Sequence, residues 1–297
     1  MTSATDDKTL DANGNLDTAE AVRRIETDGF CVLPAIVPSA ANPAICDDLL
    51  RAQSEHRADA EAELAKTRAR GHRVGNQGVA PLRQIINYVQ SFAPYLASRQ
   101  ILDVAEHFFG PWARISSTDV VINHPGNARG YWHSDWPYNA TNSSHIRAPY
   151  PDALMHLASI WMFTDFNDTT GGTYLVPGSH RSSQNPAAGG IPGVDPDGDY
   201  PTQIQATGAA GSVLLYDSRL WHAVAPNRSD SARVAILVRY APWWLNLNPA
   251  MPGRPEHDMM VVETGGKNYE SPSVFSAVYD QLPADVQPLY RHNVAAM

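Results

Sequence analysis

From residue 113 onwards the chain is a succession of short apolar runs separated by Gly, Pro, Asn and Asp, and this pattern constrains the fold more than any other feature. No helical period of useful length separates the runs until about residue 250. Short strands with turn signals and no intervening helices are typical of antiparallel sandwiches and barrels. The strand-forming runs are ISSTDVVIN, MHLASIWMF, TYLVP, GSVLLYD and RVAILVRYA.

The first third of the chain is helical in pattern. Asp17, followed three residues later by Glu20, predicts the start of the helix TAEAVRRIETD, which ends at Gly29. Further helices are predicted over about 44–70 and 94–109. We therefore expect mainly β structure with flanking helices. The predicted units are a disordered tail (1–15) and one domain (16–297), made of a helical part (about 16–110), a barrel core (about 113–245) and a wrapping C-terminal tail (246–297).

The composition limits the classes of partner. Thirty-one acidic residues against 22 Lys and Arg give a net charge of −9 with no long basic run, which argues against nucleic acid and anionic membranes. Cys31 and Cys46 are too few for a disulfide framework or a cysteine-based zinc site. No stretch approaches the roughly 20 apolar residues of a membrane span, and the acidic, polar N-terminus predicts a cytoplasmic protein. The composition leaves the oligomeric state open.

A His-x-Asp pair stands inside the aromatic run YWHSDWPYN. On an extended strand residues i and i+2 point to the same side, so His133 and Asp135 can converge on one point. His222, which follows a predicted strand far along the chain and is flanked by apolar residues, can supply a second imidazole. Two imidazoles and one carboxylate on one face suit non-haem Fe(II) and leave coordination positions open for oxygen chemistry. We predict His133, Asp135 and His222 as the metal ligands of a catalytic centre.

An arginine follows the last of these ligands across a predicted hairpin. Arg233 lies eleven residues after His222, beyond the turn APNRSD, on a strand that can point it into the same interior. A buried arginine requires an anion, because an unpaired buried charge is very costly. The planar guanidinium matches a carboxylate in bidentate fashion. The sequence therefore predicts a dicarboxylate co-substrate, with one end on the metal and the other on Arg233.

Four motifs in fixed order resemble one known family. DGFCVLPAIV (28–37), YWHSD, GGTYLVPGSH (171–180) and LWHAVAPNRSDSARVAI (220–236) are similar to the phytanoyl-CoA dioxygenase family of Fe(II)/2-oxoglutarate-dependent oxygenases. The resemblance implies a double-stranded β-helix, which is a jelly-roll or cupin-like barrel. It also implies Fe(II), O2 and 2-oxoglutarate. By this match His133, Asp135 and His222 hold iron and Arg233 holds the distal carboxylate of 2-oxoglutarate.

The same resemblance extends to the reaction and to further site residues. Thr173 falls where many members place a hydroxyl near the co-substrate, and Asn123 lies on the strand that enters the site. The implied reaction oxidises a C–H bond of a small organic metabolite, by hydroxylation or a related step, and forms succinate and CO2. The carboxylate of Asp135 argues against halogenation, because halogenases of this fold have a small residue there. YWHSD alone is most similar to ectoine hydroxylases, but the next residues differ, so we assign no substrate.

Substrate contacts are predicted from residues that flank the ligands. Trp136 and Tyr138 follow the His-x-Asp pair directly, while Arg129 and His145 lie in neighbouring loops. Most other tryptophans, among them Trp132, Trp161, Trp221, Trp243 and Trp244, are predicted to be core residues. Two other functions use the same His/Asp/His set. These are a jelly-roll ligand sensor that binds metal without turnover and a zinc hydrolase. Neither requires a buried arginine one hairpin away.

Overall fold

Two antiparallel sheets form the centre of the molecule. The computed structural model describes residues 9–10, 17–72, 74, 79, 81–135, 152–188, 191–263 and 270–295. The strands are β1 (Phe30–Leu33), β2 (Arg114–Asn123), β3 (Leu157–Met162), β4 (Tyr174–Leu175), β5 (Ile204–Gln205), β6 (Val213–Asp217), β7 (His222–Ala223) and β8 (Arg233–Ala241). One sheet has the order β1-β6-β3-β8-β2 and the other has the order β5-β4-β7.

Helices precede and follow these sheets. They are α1 (Thr18–Asp28), α2 (Asn42–Glu55), α3 (Arg57–Ala69), α4 (Arg99–Phe109), α5 (Pro255–His257), α6 (Ser276–Tyr279) and α7 (Gln287–Tyr290). A π-helical segment, Asp258–Glu263, follows α5 directly. The predicted combination of antiparallel sheets with flanking helices is confirmed. Within the described residues the two sheets share no strand, so they are two separate layers rather than one closed barrel.

The first helix begins as its sequence predicts. The backbone N–H of Glu20 donates to Asp17 Oδ1 (3.0 Å), and Gly29 ends the helix with a φ of +91° that suits glycine. Within the predicted tail 1–15, only Thr9 and Leu10 lie in the described residues. Thr9 is buried and its hydroxyl donates to the Val32 carbonyl (3.1 Å), so the chain is packed at this position.

Two helix predictions are wrong at their boundaries. The single helix predicted over 44–70 is two helices, because His56 leaves helical geometry (φ −105°, ψ 15°). The first of them, α2, packs into the main core, whereas α3 buries Ala60 and Leu64 in a small separate cluster, so the two follow different surfaces. The helix predicted over 94–109 begins only at Arg99, because Ser98 is extended.

The last strand, β8, packs against other parts of the molecule on both of its faces. The even-numbered residues 234–240 of β8 belong to the main core, together with α1, α2 and α4. The odd-numbered residues face the other way, where Ala235 packs in a second cluster with Leu175 of β4. Because neighbouring strand residues alternate between faces, Arg233 and Arg239 point into the space between the two sheets.

The C-terminal segment packs on the helical side of the larger sheet. Val274, Val286 and Tyr290 are part of the main core. The hydroxyl of Tyr290 hydrogen-bonds that of Thr118 on β2 (2.7 Å), and Gln84 donates to the Pro272 carbonyl (2.9 Å). The segment 270–295 therefore covers the helical side of the larger sheet.

Exposure of the tryptophans differs from the prediction at one place. Trp132, Trp161 and Trp221 are buried core residues, as predicted, but Trp243 and Trp244 are 60% and 49% exposed. Both follow the end of β8, beyond the edge of the sheet, so no second layer covers them. None of the helices in the described part of the chain has both the length and the apolar character that crossing a membrane requires.

Candidate metal centre

Backbone pairing brings the two predicted histidine ligands together. The N–H of His133 donates to the carbonyl of His222 (3.1 Å), and the N–H of His222 donates to the carbonyl of His133 (2.9 Å). Residues that exchange both hydrogen bonds across an antiparallel pair present their side chains on the same face. The two imidazole centroids are accordingly 4.2 Å apart.

Hydrogen bonds fix the tautomer of both rings. Nδ1 of His133 lies 3.1 Å from the Tyr131 carbonyl, and Nδ1 of His222 lies 2.9 Å from the Leu220 carbonyl. A carbonyl oxygen only accepts, so each Nδ1 carries the proton and each Nε2 presents a lone pair. This is the second-layer arrangement that metal-binding histidines commonly have.

The carboxylate of Asp135 completes the group. Its Oδ1 is 3.9 Å from Nε2 of His133 and 3.9 Å from Nε2 of His222, and the three ligand atoms lie within 4.8 Å of one another. The backbone N–H of Asp135 donates to the Ser218 carbonyl (2.8 Å), which fixes the position of the residue. Two unprotonated imidazole nitrogens and one carboxylate oxygen at this spacing fit one ion of the non-haem iron type.

The other carboxylate oxygen of Asp135 has two donors of its own. Tyr216 on β6 donates its hydroxyl to Oδ2 (3.2 Å), and Arg239 on β8 donates from Nη2 (3.4 Å). Burial by itself raises the pKa of Asp135, but the positive charge of Arg239, together with the nearby polar imidazoles, outweighs it and holds this pKa well below its usual range. Asp135 is therefore an anion throughout the physiological pH range.

Arg233 is a buried cation without an acidic partner among the described residues. It is 3% exposed, donates to the Gly171 carbonyl (3.0 Å) and lies 4.4 Å over the ring of Phe166. Its Nε has no hydrogen-bond acceptor. Burial lowers the pKa of Arg233 to about 10, so the side chain is still charged at neutral pH. A group of this kind needs an anion from outside the chain.

The segment that receives Arg233 depends on two glycines. A Cβ on Gly171 would lie 2.6 Å from the Pro226 carbonyl oxygen, and one on Gly172 would lie 2.1 Å from that of Ala206. The close approach of these backbones explains the Gly-Gly pair before β4. Thr173 follows directly and is buried beside them. Its contact with the co-substrate stays a prediction.

The remaining predicted residues are placed as follows. Asn123 is in register with Arg233 on the neighbouring strand, but its side-chain amide donates to the Ala225 carbonyl (3.0 Å), and its Oδ1 accepts from Asn127 (2.6 Å). These bonds connect β2 to the segment after His222, and a co-substrate contact by Asn123 stays a prediction.

Arg129 is engaged within the protein. Its guanidinium pairs with Asp199 and lies over the rings of Trp132 (4.8 Å) and Tyr174 (5.1 Å). These contacts hold the segment around Asp199 against the smaller sheet, and a substrate contact by Arg129 stays a prediction. Trp136, Tyr138 and His145, the other predicted substrate residues, lie outside the described residues.

A cavity of about 130 Å³ opens beside His133 and Asp135. Its wall is mainly apolar, with His133, Asp135, Arg83 and Arg239 as the polar members. A second cavity of about 240 Å³ shares Arg83 with it. Tyr216, Arg239 and Arg83 were not predicted from the sequence as site residues. The available signal was the strand RVAILVRYA, in which Arg239 falls on the same face as Arg233.

Antiparallel sheets, a His/Asp/His group and a buried arginine that has no acidic partner among the described residues are the features of an Fe(II)/2-oxoglutarate-dependent dioxygenase. The sequence profile described as "Phytanoyl-CoA dioxygenase (PhyH)" matches residues 25–235, which is more than two thirds of the chain. The chain therefore belongs to the phytanoyl-CoA dioxygenase family.

Individual relatives are more distant. A probable alpha-ketoglutarate-dependent hypophosphite dioxygenase of Stutzerimonas stutzeri is 25% identical over 54% of this chain, which spans 57% of that relative's length. Ectoine dioxygenase of Bordetella bronchiseptica is 31% identical over 43% of this chain and 46% of its own. The solved structure of HygX from Streptomyces hygroscopicus, with nickel, 2-oxoglutarate and hygromycin B bound, has a TM-score of 0.56 at 14% identity and covers 85% of this chain and 96% of that chain. The last likeness concerns the fold alone.

Proposed function

We propose that this chain oxidises a C–H bond of a small organic metabolite, with His133, Asp135 and His222 holding Fe(II) and Arg233 holding 2-oxoglutarate. One observation carries the assignment. Two imidazole Nε2 atoms and Asp135 Oδ1 converge on one point. Arg233, which is buried and has no acidic partner in the described residues, lies on the same face of β8 as Arg239, which contacts Asp135. The products expected from the co-substrate are succinate and CO2.

Arg233 supports a dicarboxylate rather than a simple anion. One carboxylate of 2-oxoglutarate would take the donors of Arg233 that the Gly171 carbonyl leaves over, with the hydroxyl of Thr173 as a further donor. The other end would then reach the metal. When bound, Fe(II) supplies oxygen activation, while the chain supplies ligand geometry, orientation and exclusion of water.

The walls of the site support a small and partly apolar substrate. The cavity beside the ligands is lined by apolar side chains, among them Leu64, Val121 and Leu237, with Arg83 and Arg239 as its cations. Hypophosphite, ectoine and hygromycin B appear in the names of similar proteins and belong to those proteins. Because these three compounds differ widely in chemistry, we propose only that the substrate of this chain is small and name no particular compound.

We further propose that the two sheets are the halves of a jelly-roll barrel. The five-stranded and three-stranded sheets enclose one apolar cluster that contains residues of both. The backbone bridge between His133 and His222, two of the proposed metal ligands, extends the smaller sheet by one paired position. A cytoplasmic location and the absence of a nucleic-acid partner stay predictions.

Two other functions would use the same three ligands, and the buried Arg233 distinguishes the proposed function from both. A zinc hydrolase and a ligand sensor without turnover both need a His/Asp/His set, but neither needs a buried cation at the distal end of a co-substrate site. The experiment is anaerobic addition of Fe(II) and then 2-oxoglutarate to the metal-free protein. We expect a weak visible charge-transfer band, and succinate release when compound libraries are added with air.

The control for this experiment is His222→Ala, which removes one ligand. It should give no band under identical conditions. A wild-type protein that gives no band but hydrolyses esters with zinc would instead be a hydrolase. A protein that gives the band but releases no succinate with any compound would be a sensor.

A further inference from the structure

We infer that Arg239 and Tyr216 are positioning residues for the metal-binding carboxylate, and that Asp119 holds Arg239 in place for this role. The inference rests on the proposed metal site. It concerns the two hydrogen bonds that reach Oδ2 of Asp135, the oxygen that does not face the histidines.

The two oxygens of Asp135 have different surroundings. Oδ1 faces His133 Nε2 and His222 Nε2 at 3.9 Å each. Oδ2 accepts from the Tyr216 hydroxyl at 3.2 Å and from Arg239 Nη2 at 3.4 Å. An aspartate carboxylate otherwise rotates over a broad range, and a free carboxylate can chelate a metal with both oxygens. Two donors on Oδ2 therefore direct Oδ1 alone toward the ion.

Arg239 is itself held from the neighbouring strand. Its Nη1 donates to Ser117 Oγ (3.1 Å) and to Asp119 Oδ2 (3.2 Å). Asp119 is 2% exposed and accepts in addition from Arg83 Nη1 (2.7 Å) and from the backbone N–H of Gln84 (3.2 Å). The guanidinium therefore spans from β2 to the metal ligand, and its fork is fixed at both ends.

The charges around Asp135 indicate that Arg239 orients the carboxylate rather than attracts the metal ion. Within the described part of the chain, the ion pairs of Arg83 and Arg239 with Asp119 and Asp135 balance two positive charges with two negative ones. The positive charge of Arg239 beside Asp135 would by itself weaken the binding of a divalent metal ion, because like charges repel. Tyr216 is a neutral hydroxyl donor to Oδ2 and adds no charge. Both donors serve the geometry of the carboxylate.

The test uses two variants that preserve net charge. Tyr216→Phe removes one donor, and Arg239→Lys keeps the positive charge but loses the fork that joins Ser117, Asp119 and Asp135. The probe is Co(II) added anaerobically to the metal-free protein, with its dissociation constant and its visible absorption as readouts. We expect each variant to weaken Co(II) binding by about 10- to 100-fold and to change the absorption spectrum.

Arg114→Lys is the matched control. Arg114 is partly buried on the same strand pair, in register with Ala241, and among the described residues its hydrogen bonds go to the Pro242 and Leu245 carbonyls and to none of the three ligands. Its Co(II) affinity should stay within about threefold of wild type. Wild-type affinity and spectrum in Arg239→Lys or in Tyr216→Phe would overturn the assignment for that residue. A wild-type protein that binds no Co(II) would instead contradict the proposed metal site.

Discussion

Replacing Arg233 by glutamine separates a structural role of this residue from a co-substrate role. Among the described residues the guanidinium donates to one acceptor, the Gly171 carbonyl at 3.0 Å, and contacts one ring, that of Phe166 at 4.4 Å. Burial lowers the pKa of Arg233 from 12.5 to about 10, which corresponds to a penalty of about 3 kcal/mol on the charged form. The charge therefore destabilises the free protein until an anion binds.

The expected effects on stability and on binding differ in size. Losing the hydrogen bond costs about 1 kcal/mol and losing the cation–π contact about 1–2 kcal/mol, which together offset the removed penalty. The free energy of unfolding of Arg233→Gln without co-substrate should thus stay within about 1 kcal/mol of wild type. Truncating one partner of a buried charge pair costs about 2–5 kcal/mol, so the Kd for 2-oxoglutarate should rise by about 30-fold to several thousand-fold.

The assay is calorimetric titration of 2-oxoglutarate into the metal-loaded protein, beside urea unfolding of the metal-free protein. Arg233→Lys keeps the charge without the fork and should bind with intermediate affinity. Arg114→Gln removes another partly buried arginine whose acceptors are backbone carbonyls, and it should leave the Kd unchanged. A Kd for Arg233→Gln within threefold of wild type would refute the reasoning, as would a loss of several kcal/mol in the metal-free protein.

Three further predictions follow from the same structure. Because Fe(II) and 2-oxoglutarate bind the folded chain, each at a hundredfold excess over its Kd should add about 2.7 kcal/mol of stability and raise the Tm by several degrees, an effect that a chelator reverses and that is absent in His222→Ala. Burial and Arg239 lower the pKa of His156 to about 4, so between about pH 6.5 and 4 the unfolded chain binds a proton that the folded chain does not. The free energy of unfolding should therefore fall as the pH drops through this window, by up to about 3 kcal/mol from this residue, and urea unfolding of His156→Asn should show a smaller fall. Gly172→Ala would place a Cβ 2.1 Å from the Ala206 carbonyl oxygen, so its Tm should drop by more than that of Gly126→Ala, where the added atom has open space and the cost comes from the positive φ of +75°; a smaller drop for Gly172→Ala would contradict the close approach.

The features that could be predicted from the sequence are those with a local pattern. The pair His133 and Asp135 could be found because period-two alternation and residue chemistry point to the same conclusion. His222 and Arg233 followed from their place on either side of a turn signal. The strand runs were visible for the same reason, since apolar residues and turn residues alternate along the chain.

The features that could not be predicted depend on packing between distant segments. Nothing in the sequence around His56 breaks the helical period, and the break arises because α2 and α3 lie on different surfaces. Tyr216 stands inside a strand, where the sequence shows alternation but not which face meets the metal. Arg239 shares a face with Arg233 in the sequence pattern, but its contact with Asp135 depends on packing between distant segments. The partners of Asn123 and Arg129 likewise come from residues far along the chain, at Ala225 and Asp199.

Anomalous scattering from crystals grown anaerobically with Fe(II) and 2-oxoglutarate tests the central claim most directly, because it locates the metal without reference to turnover. One iron peak should lie within bonding distance of His133 Nε2, Asp135 Oδ1 and His222 Nε2, with a carboxylate of 2-oxoglutarate on Arg233. Iron bound at other side chains, or 2-oxoglutarate bound away from Arg233, would contradict the account.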